Sequence, residues 1–261
     1  MKLRRGDGAL LRVGHRGAAA LAPENTLRSF EAALVYGVDA IEFDVLDLVD
    51  GPLVLAHSND LAEVSHGAAA GRVRERSLEE LREVAPDLPT LDEALEFLAG
   101  HDVALHVDLK LTTRLDELAG ALARAGLSER AVVSSFHLPS LAAFAACAPE
   151  IPIGFTYPED RYGVSRQRAL QPVIRLGTLA LRRALVARLP AMVARAGASA
   201  LMLQHAVVSA PAVERAHRAG AAVWAWTVDD PVELARLDAA GVDAVISNDP
   251  GIFGSLATLR A

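Results

Sequence analysis

Residues 40–57 read AIEFDVLDLVDGPLVLAH, and their alternation decides the fold. Ile41, Phe43 and Val45 fall on one side and Glu42 and Asp44 on the other, over a length too short for a helix and right for a strand. Two carboxylates about 7 Å apart on one strand face cost little where that face is wet. On an inner barrel strand they look into an enclosed mouth, where like charges so close call for a cation. The turn at Asp50-Gly51-Pro52 lets a second apolar run, Leu53 to Ala56, return and deliver His57 beside them.

Upstream, Leu10 to Val13 reads as a strand that stops at Gly14-His15-Arg16-Gly17, where small residues allow close approach of the backbone to a ligand. APENT follows, with Asn25 or Thr26 as a helix cap before the periodic Leu27, Phe30 and Leu34. Downstream, LAEVSHGAAAGRVRERSLEELREVAPDLPT is polar and reads as a loop over one end of the fold, mobile at GAAAG, with a helix from near Ser77.

Strands and helices then alternate with short connections. Strands are expected at 103–110, 131–136, 151–157, 200–204, 222–228 and 244–249, and helices at 90–98, 114–125, 138–146, 210–219 and 231–239, with an arginine-rich helical region before residue 200. Eight strands separated by helices are the pattern of an α/β fold, a single (β/α)8 TIM barrel over residues 1–261 with a short insertion after the second strand. A doubly wound open sheet is the alternative, but its dinucleotide glycine pattern is missing after the first strand.

Composition narrows the function. The 261 residues are 52% hydrophobic and 23% charged, with a net charge of −7, which disfavours nucleic acid as the main partner. The start has no signal-peptide pattern and no run is long enough to span a membrane, so a cytoplasmic location is expected. The single cysteine, Cys147, cannot form an internal disulfide and is expected to be a buried apolar residue.

In a parallel barrel the chemistry sits at the carboxyl ends of the strands. His15 and Arg16 stand there after the first strand, Glu42, Asp44 and then His57 on the second, Asp108 and Lys110 on the third, and Trp226 on the seventh. An oxygen-only donor set suits one hard divalent ion, Mg²⁺ or Ca²⁺ with Mn²⁺ also accommodated, better than zinc. With Arg16 as a planar fork and Lys110 as a point charge, the layout suits a phosphate. Lys110 is, with Lys2, one of only two lysines in a chain that otherwise uses arginine. Trp226 is either core or a wall of the substrate pocket.

These residues resemble the glycerophosphodiester phosphodiesterases. The resemblance lies in HRG, PENT, the G-x-D-x-x-E-x-D strand and the following histidine, then LHVDLK, SSF, AWTV and GVDAVISNDP, from about His15 to Pro250. It implies that His15 and His57 are the general acid and base, that Arg16 and Lys110 bind phosphate, and that Glu42, Asp44 and Asp108 hold the metal. It implies hydrolysis of glycerophosphodiesters to glycerol 3-phosphate and an alcohol, through attack by a neighbouring glycerol hydroxyl. Lysophospholipase D-like or cyclising chemistry on lysophospholipids, or phosphate-ester binding without catalysis, are the alternatives. Two positions depart from the family's pattern. Ser58 replaces the acid that usually follows the second histidine, with Asp60 two residues on, and Asp108 replaces a glutamate.

From Arg161 to Val213 there is no acidic residue, and Arg161, Arg166, Arg168, Arg175, Arg182, Arg183, Arg188 and Arg195 lie within that stretch. A peripheral membrane or lipid contact through 161–196 is one expectation, and an outer barrel helix with solvated arginines is the other.

Overall fold

The computed structural model describes residues 1–5, 8–159 and 171–255, with the backbone alone over 171–176. Strand β1 (Leu11–Gly14) leads through helix α1 (Leu27–Val35) to β2 (Ala40–Asp47), which turns back into β3 (Leu53–Leu55). The excursion carries α2 (Leu61–Val64) and α3 (Leu78–Val84). The strand and helix alternation then runs α4 (Leu91–Ala99), β4 (Ala104–Leu109), α5 (Leu115–Arg124), β5 (Ala131–Ser135), α6 (Leu138–Cys147) and β6 (Ile153–Tyr157). It closes with α7 (Gln171–Ala196), β7 (Ala200–Gln204), α8 (Ala210–Arg218), β8 (Ala222–Trp226), α9 (Pro231–Ala240) and β9 (Ala244–Ser247).

Every strand except β3 runs parallel to its neighbours, in the order β1-β9-β8-β7-β6-β5-β4-β2, and pairing of β1 with β2 closes the ring. This is the (β/α)8 barrel expected from the sequence. β3 lies antiparallel on the carboxyl end of β2, with Val45 opposite Leu55, and so aims the chain after Leu55 at the mouth.

The period-two pattern sorts side chains into two layers. Ile41, Phe43 and Val45 point outward into a core shared with Phe30 of α1 and Leu95 and Leu98 of α4. Inside the barrel, toward the amino ends of the strands, Val13, Ala40, Val132, Ala200, Met202, Ala222, Trp224, Ala244 and Ile246 form an apolar plug. Trp224 donates its indole N–H to the Leu3 carbonyl at that end (3.0 Å). The charged residues therefore have one place left inside the ring, the carboxyl-end mouth.

Three expectations change. Cys147 is exposed, not buried: α6 buries Leu141 and Phe144, and the chain just beyond it buries Ala148, which turns position 147 to solvent. The passage after His57 is more than a loop, because α2 and α3 close on the end of β2 and the middle of β3 in a satellite core of Leu46, Leu48, Val54, Ala56, Leu61, Val73, Leu81 and Leu88. Gly14 and Gly17 make room for the protein itself, since a Cβ on Gly17 would lie 2.4 Å from Ser29 Oγ and one on Gly14 would lie 2.3 Å from the Gly17 carbonyl oxygen. Gly17 also has a φ of +84°, in the left-handed region.

In α7, Leu185, Leu189, Val193 and Ala196 are buried against the barrel, at the spacing of one helical face. Arg183, Arg188 and Arg195 are exposed on the rest of its surface, while Leu179 stands 54% exposed. Arg161, Arg166 and Arg168 and the side chain of Arg175 lie outside the described residues. No described helix is long and apolar enough to cross a membrane.

Candidate active site

The mouth is built on the β1–β2–β4 wall. In the register, Glu42 stands opposite His106 and Asp44 opposite Asp108, so the inward residues of β2 and β4 form two rows. Glu42, Asp44 and Asp108 are 4%, 1% and 6% exposed, which makes their partners decisive.

Asp44 has the fullest set. Lys110 Nζ lies 2.9 Å from its Oδ1, and Arg16 Nε lies 3.1 Å from its Oδ2, an ion-pair contact rather than an aligned hydrogen bond. The Asn25 side chain donates to Oδ2 (2.9 Å) and accepts from the Asp44 backbone N–H (3.0 Å). Burial raises the Asp44 carboxyl's pKa, but Lys110 and Arg16 outweigh it and hold the group well below the usual range. Asn25 is thus a clamp on a site carboxylate, and the cap of α1 is Thr26, paired with Ser29 in a capping box. Asn25 and Arg16 both take left-handed backbone conformations, with φ of +56° and +50°.

Glu42 is treated differently. It accepts from the Arg16 backbone N–H (2.8 Å), and His15 Nε2 lies 3.9 Å away. Burial and the neighbouring Asp44 push its pKa well above the ordinary value. Glu42 is the member of the set short of positive charge.

Asp108 pairs with Lys110, and Ser134 of β5 donates its hydroxyl to Asp108 Oδ1 (2.5 Å). His106 Nε2 lies 2.8 Å from the same Ser134 oxygen. Since that hydroxyl donates to Asp108, His106 is the donor to it. The Asp108–Lys110 pair is therefore a buried bridge rather than a surface pair. Lys110 is held far above its ordinary pKa: burial opposes this, and Asp108 and Asp44 overcome it. Arg16 also pairs with Glu24 (2.7 Å).

The two histidines flank this wall. His15 follows β1, and its Nδ1 lies 2.6 Å from Asn248 Oδ1. Asn248 follows β9 and is fixed by Asp229, which accepts from its backbone N–H (2.8 Å) and its amide (2.7 Å). Burial first, then the Arg16 charge, lowers the His15 pKa to about 4. His57 follows β3, and its Nδ1 lies 2.7 Å from Glu63 Oε1 on α2. In both rings the Nδ1 side is engaged and Nε2 is left for chemistry.

Trp226 closes the other side. Its indole N–H donates to the Met202 carbonyl (2.9 Å), and its ring meets Phe136 edge-on at 5.8 Å. Lys110 Nζ stands 5.9 Å above the same Phe136 ring, so an aromatic pair links the lysine to the opposite rim.

The structure therefore brings His15, Arg16, Glu42, Asp44, His57, Asp108, Lys110 and Trp226 to one mouth. Asn248, Asp229, Glu63, Ser134 and Phe136 join them. Sequence reasoning gave these five no role, although all except Glu63 sit just at or past strand ends. Among the described residues, no group of three or more His, Cys, Asp and Glu side chains closes on a common point, because Lys110 spans Asp44 and Asp108. The donor set nevertheless suits a hard divalent cation, being all carboxylate, and the raised Glu42 marks where positive charge is wanting.

A closed parallel barrel with paired histidines, a guanidinium and an ammonium over buried carboxylates at its carboxyl rim is the architecture of a phosphoester-processing barrel. The chain belongs to the glycerophosphoryl diester phosphodiesterase family, whose profile it matches over residues 15–252. The family is generally dependent on a divalent metal. A glycerophosphodiester phosphodiesterase of Caldanaerobacter subterraneus subsp. tengcongensis is 27% identical over 254 residues, covering 91% of this chain and 93% of that one. Among solved structures, the Thermotoga maritima glycerophosphodiester phosphodiesterase shares the fold with a TM-score of 0.72 at 22% identity, covering 95% of this chain and 98% of that one. An Oleispira antarctica phosphodiesterase, solved with the product sn-glycerol-3-phosphate, does so with a TM-score of 0.72 at 23% identity, over 94% and 96% of the two chains.

Proposed function

We propose that this protein hydrolyses glycerophosphodiesters to glycerol 3-phosphate and an alcohol, with His15 and His57 as general acid and base. The observation that carries it is the shared wall: two imidazoles whose Nδ1 atoms are tied back flank Arg16 and Lys110 above three buried carboxylates. One histidine takes the proton of a glycerol hydroxyl as its oxygen bonds to phosphorus. The other protonates the alcohol as the bond to it breaks, and a water then opens the cyclic phosphate with the proton transfers reversed. Arg16 and Lys110 offer N–H donors beyond those their carboxylates take, aimed at the charge on the phosphoryl oxygens.

Glu42, Asp44 and Asp108 would hold one divalent ion, Mg²⁺, Ca²⁺ or Mn²⁺. When bound, that ion supplies Lewis-acid stabilisation of phosphoryl charge. Trp226 and Phe136 wall the pocket for the carbon skeleton. A cytoplasmic location remains part of this proposal, supported by the single cysteine, Cys147, in a chain that therefore has no internal disulfide. Leu185, Leu189 and Val193 of α7 are spent on the barrel, and the exposed Leu179 by itself does not favour lysophospholipids over glycerophosphodiesters.

The test is release of choline or ethanolamine from the corresponding glycerophosphodiester with each of the three ions. Release that requires a divalent ion and is stopped by a chelator is the expected result. No release with any of them would favour a non-catalytic phosphate-ester binder.

A further inference from the structure

Position 58, where the resemblance calls for an acid after the second histidine, holds Ser58, and a carboxylate from further along the chain meets both Ser58 and His57. Ser58 donates its hydroxyl to Glu63 Oε2 (2.6 Å), while the other oxygen of Glu63 meets His57 Nδ1 at 2.7 Å. The same hydroxyl accepts from the Asp60 backbone N–H (3.2 Å). Asp60 in turn caps α2 by accepting from the Ala62 N–H (3.0 Å). Leu61, only 2% exposed, anchors that helix in the satellite core, and its N–H donates to the Gly71 carbonyl (3.0 Å). Glu63 is thus fixed at its backbone by a cap and a core residue, and at its carboxylate by a serine and a histidine.

We propose that Glu63 is the positioning residue for His57, taking over from a helix the role that a carboxylate at position 58 would otherwise fill. The proposal rests on His57 acting in the reaction, as above. A carboxylate on Nδ1 fixes the tautomer with the proton on that atom, turns the Nε2 lone pair to the mouth, and balances the charge of the ring once it has taken a proton. His15 differs here, since its Nδ1 meets a neutral amide. Burial works to raise the Glu63 pKa, but the hydrogen bonds from Ser58 and His57 prevail and keep it below its ordinary value, so the group is an anion at neutral pH. Two carboxylates at 58 and 63 would crowd like charges onto one imidazole. Serine at 58 removes that conflict and adds a donor.

The test is Glu63→Ala on the ¹⁵N-labelled full chain, assayed on glycerophosphoethanolamine with a divalent ion. The expected result is a kcat about ten- to a hundredfold lower with KM unchanged. With it, the imidazole ¹⁵N spectrum should show His57 no longer held as the Nδ1–H tautomer. Adding Ser58→Asp should restore most of the lost kcat. Glu63→Gln, which keeps the size and an acceptor oxygen, covers the case in which alanine unsettles α2, and a smaller loss of kcat is expected. An unchanged kcat in both variants, or a His57 tautomer indifferent to Glu63→Ala, overturns the proposal. Failure of the functional reading looks different: His57→Ala would then leave turnover intact, while the tautomer of His57 would still report on Glu63.

Discussion

The two walls of the barrel mouth are made from the same kind of parallel strand and have been given opposite chemistry. Above the plug, β2 and β4 turn Glu42, Asp44, His106 and Asp108 inward, with His15 and Arg16 just past the end of β1 and Lys110 just past the end of β4. On β6, β7 and β8 the inward side chains above the plug are Thr156, Gln204 and Trp226, and no ionised group stands among them. Of the ionised groups near that half, Asp229 is spent at the rim on Ser247 and Asn248, and the group on α9 is tied into the scaffold outside the barrel. Glu233 of α9 binds Arg236 through two hydrogen bonds (2.6 and 2.8 Å) and meets His205, after β7, at 2.7 Å. The lesson is that charge in this mouth is segregated: one wall is a device for an anion and a cation, and the other supplies shape.

The comparison would break most visibly at the histidines. His15→Ala and His57→Ala should each lower kcat by about 10² to 10⁴. A smaller but still large effect is expected from Lys110→Met, about 10² to 10³ in kcat, because it removes a donor to phosphoryl charge and leaves Asp44 and Asp108 facing each other without their bridge. Equal activity in that variant would mean the charged wall is structural.

The opposite half is expected to leave kcat nearly untouched and to answer in stability or in substrate binding. Hydrogen bonds from Arg236 lead in lowering the Glu233 pKa to about 2, against some burial. A carboxyl so depressed contributes stability that is present above its ordinary pKa and is lost as pH falls through the folded value. Glu233→Gln should therefore cost about 1 to 2 kcal/mol at pH 7. The gap from the parent protein should close as the pH is brought down toward 2, with kcat unaltered at pH 7. Denaturant midpoints across that range, with kinetics at neutral pH, check both halves of the statement. Smallest of all should be Trp226→Ala, a severalfold rise in KM with kcat nearly kept, because a wall that only shapes the pocket binds ground and transition states alike.

Much of the charged wall was legible in residues 40–57. Strict alternation placed Glu42 and Asp44 inside, and the apolar run after Gly51 announced that the chain returns with His57. What the sequence hid were partners distant in the chain. Asn248 reaches His15 only because β9 pairs with β1, and Glu63 reaches His57 only because α2 is capped and cored in one orientation. Asn25 lay in a capping position and could have been spent on the helix, but Thr26 takes that task and Asn25 turns to Asp44. Cys147 was misplaced for a different reason. LPSLAAFAAC is apolar all round, so no polar stripe marks which side of α6 faces water.

The most direct measurement is ³¹P NMR of glycerophosphoethanolamine incubated with the protein and Mg²⁺, Ca²⁺ or Mn²⁺, for the parent chain and for His15→Ala side by side. The account predicts that the parent replaces the diester resonance with that of glycerol 3-phosphate and that His15→Ala leaves the diester in place. A diester consumed equally by both proteins, or by neither, would contradict it.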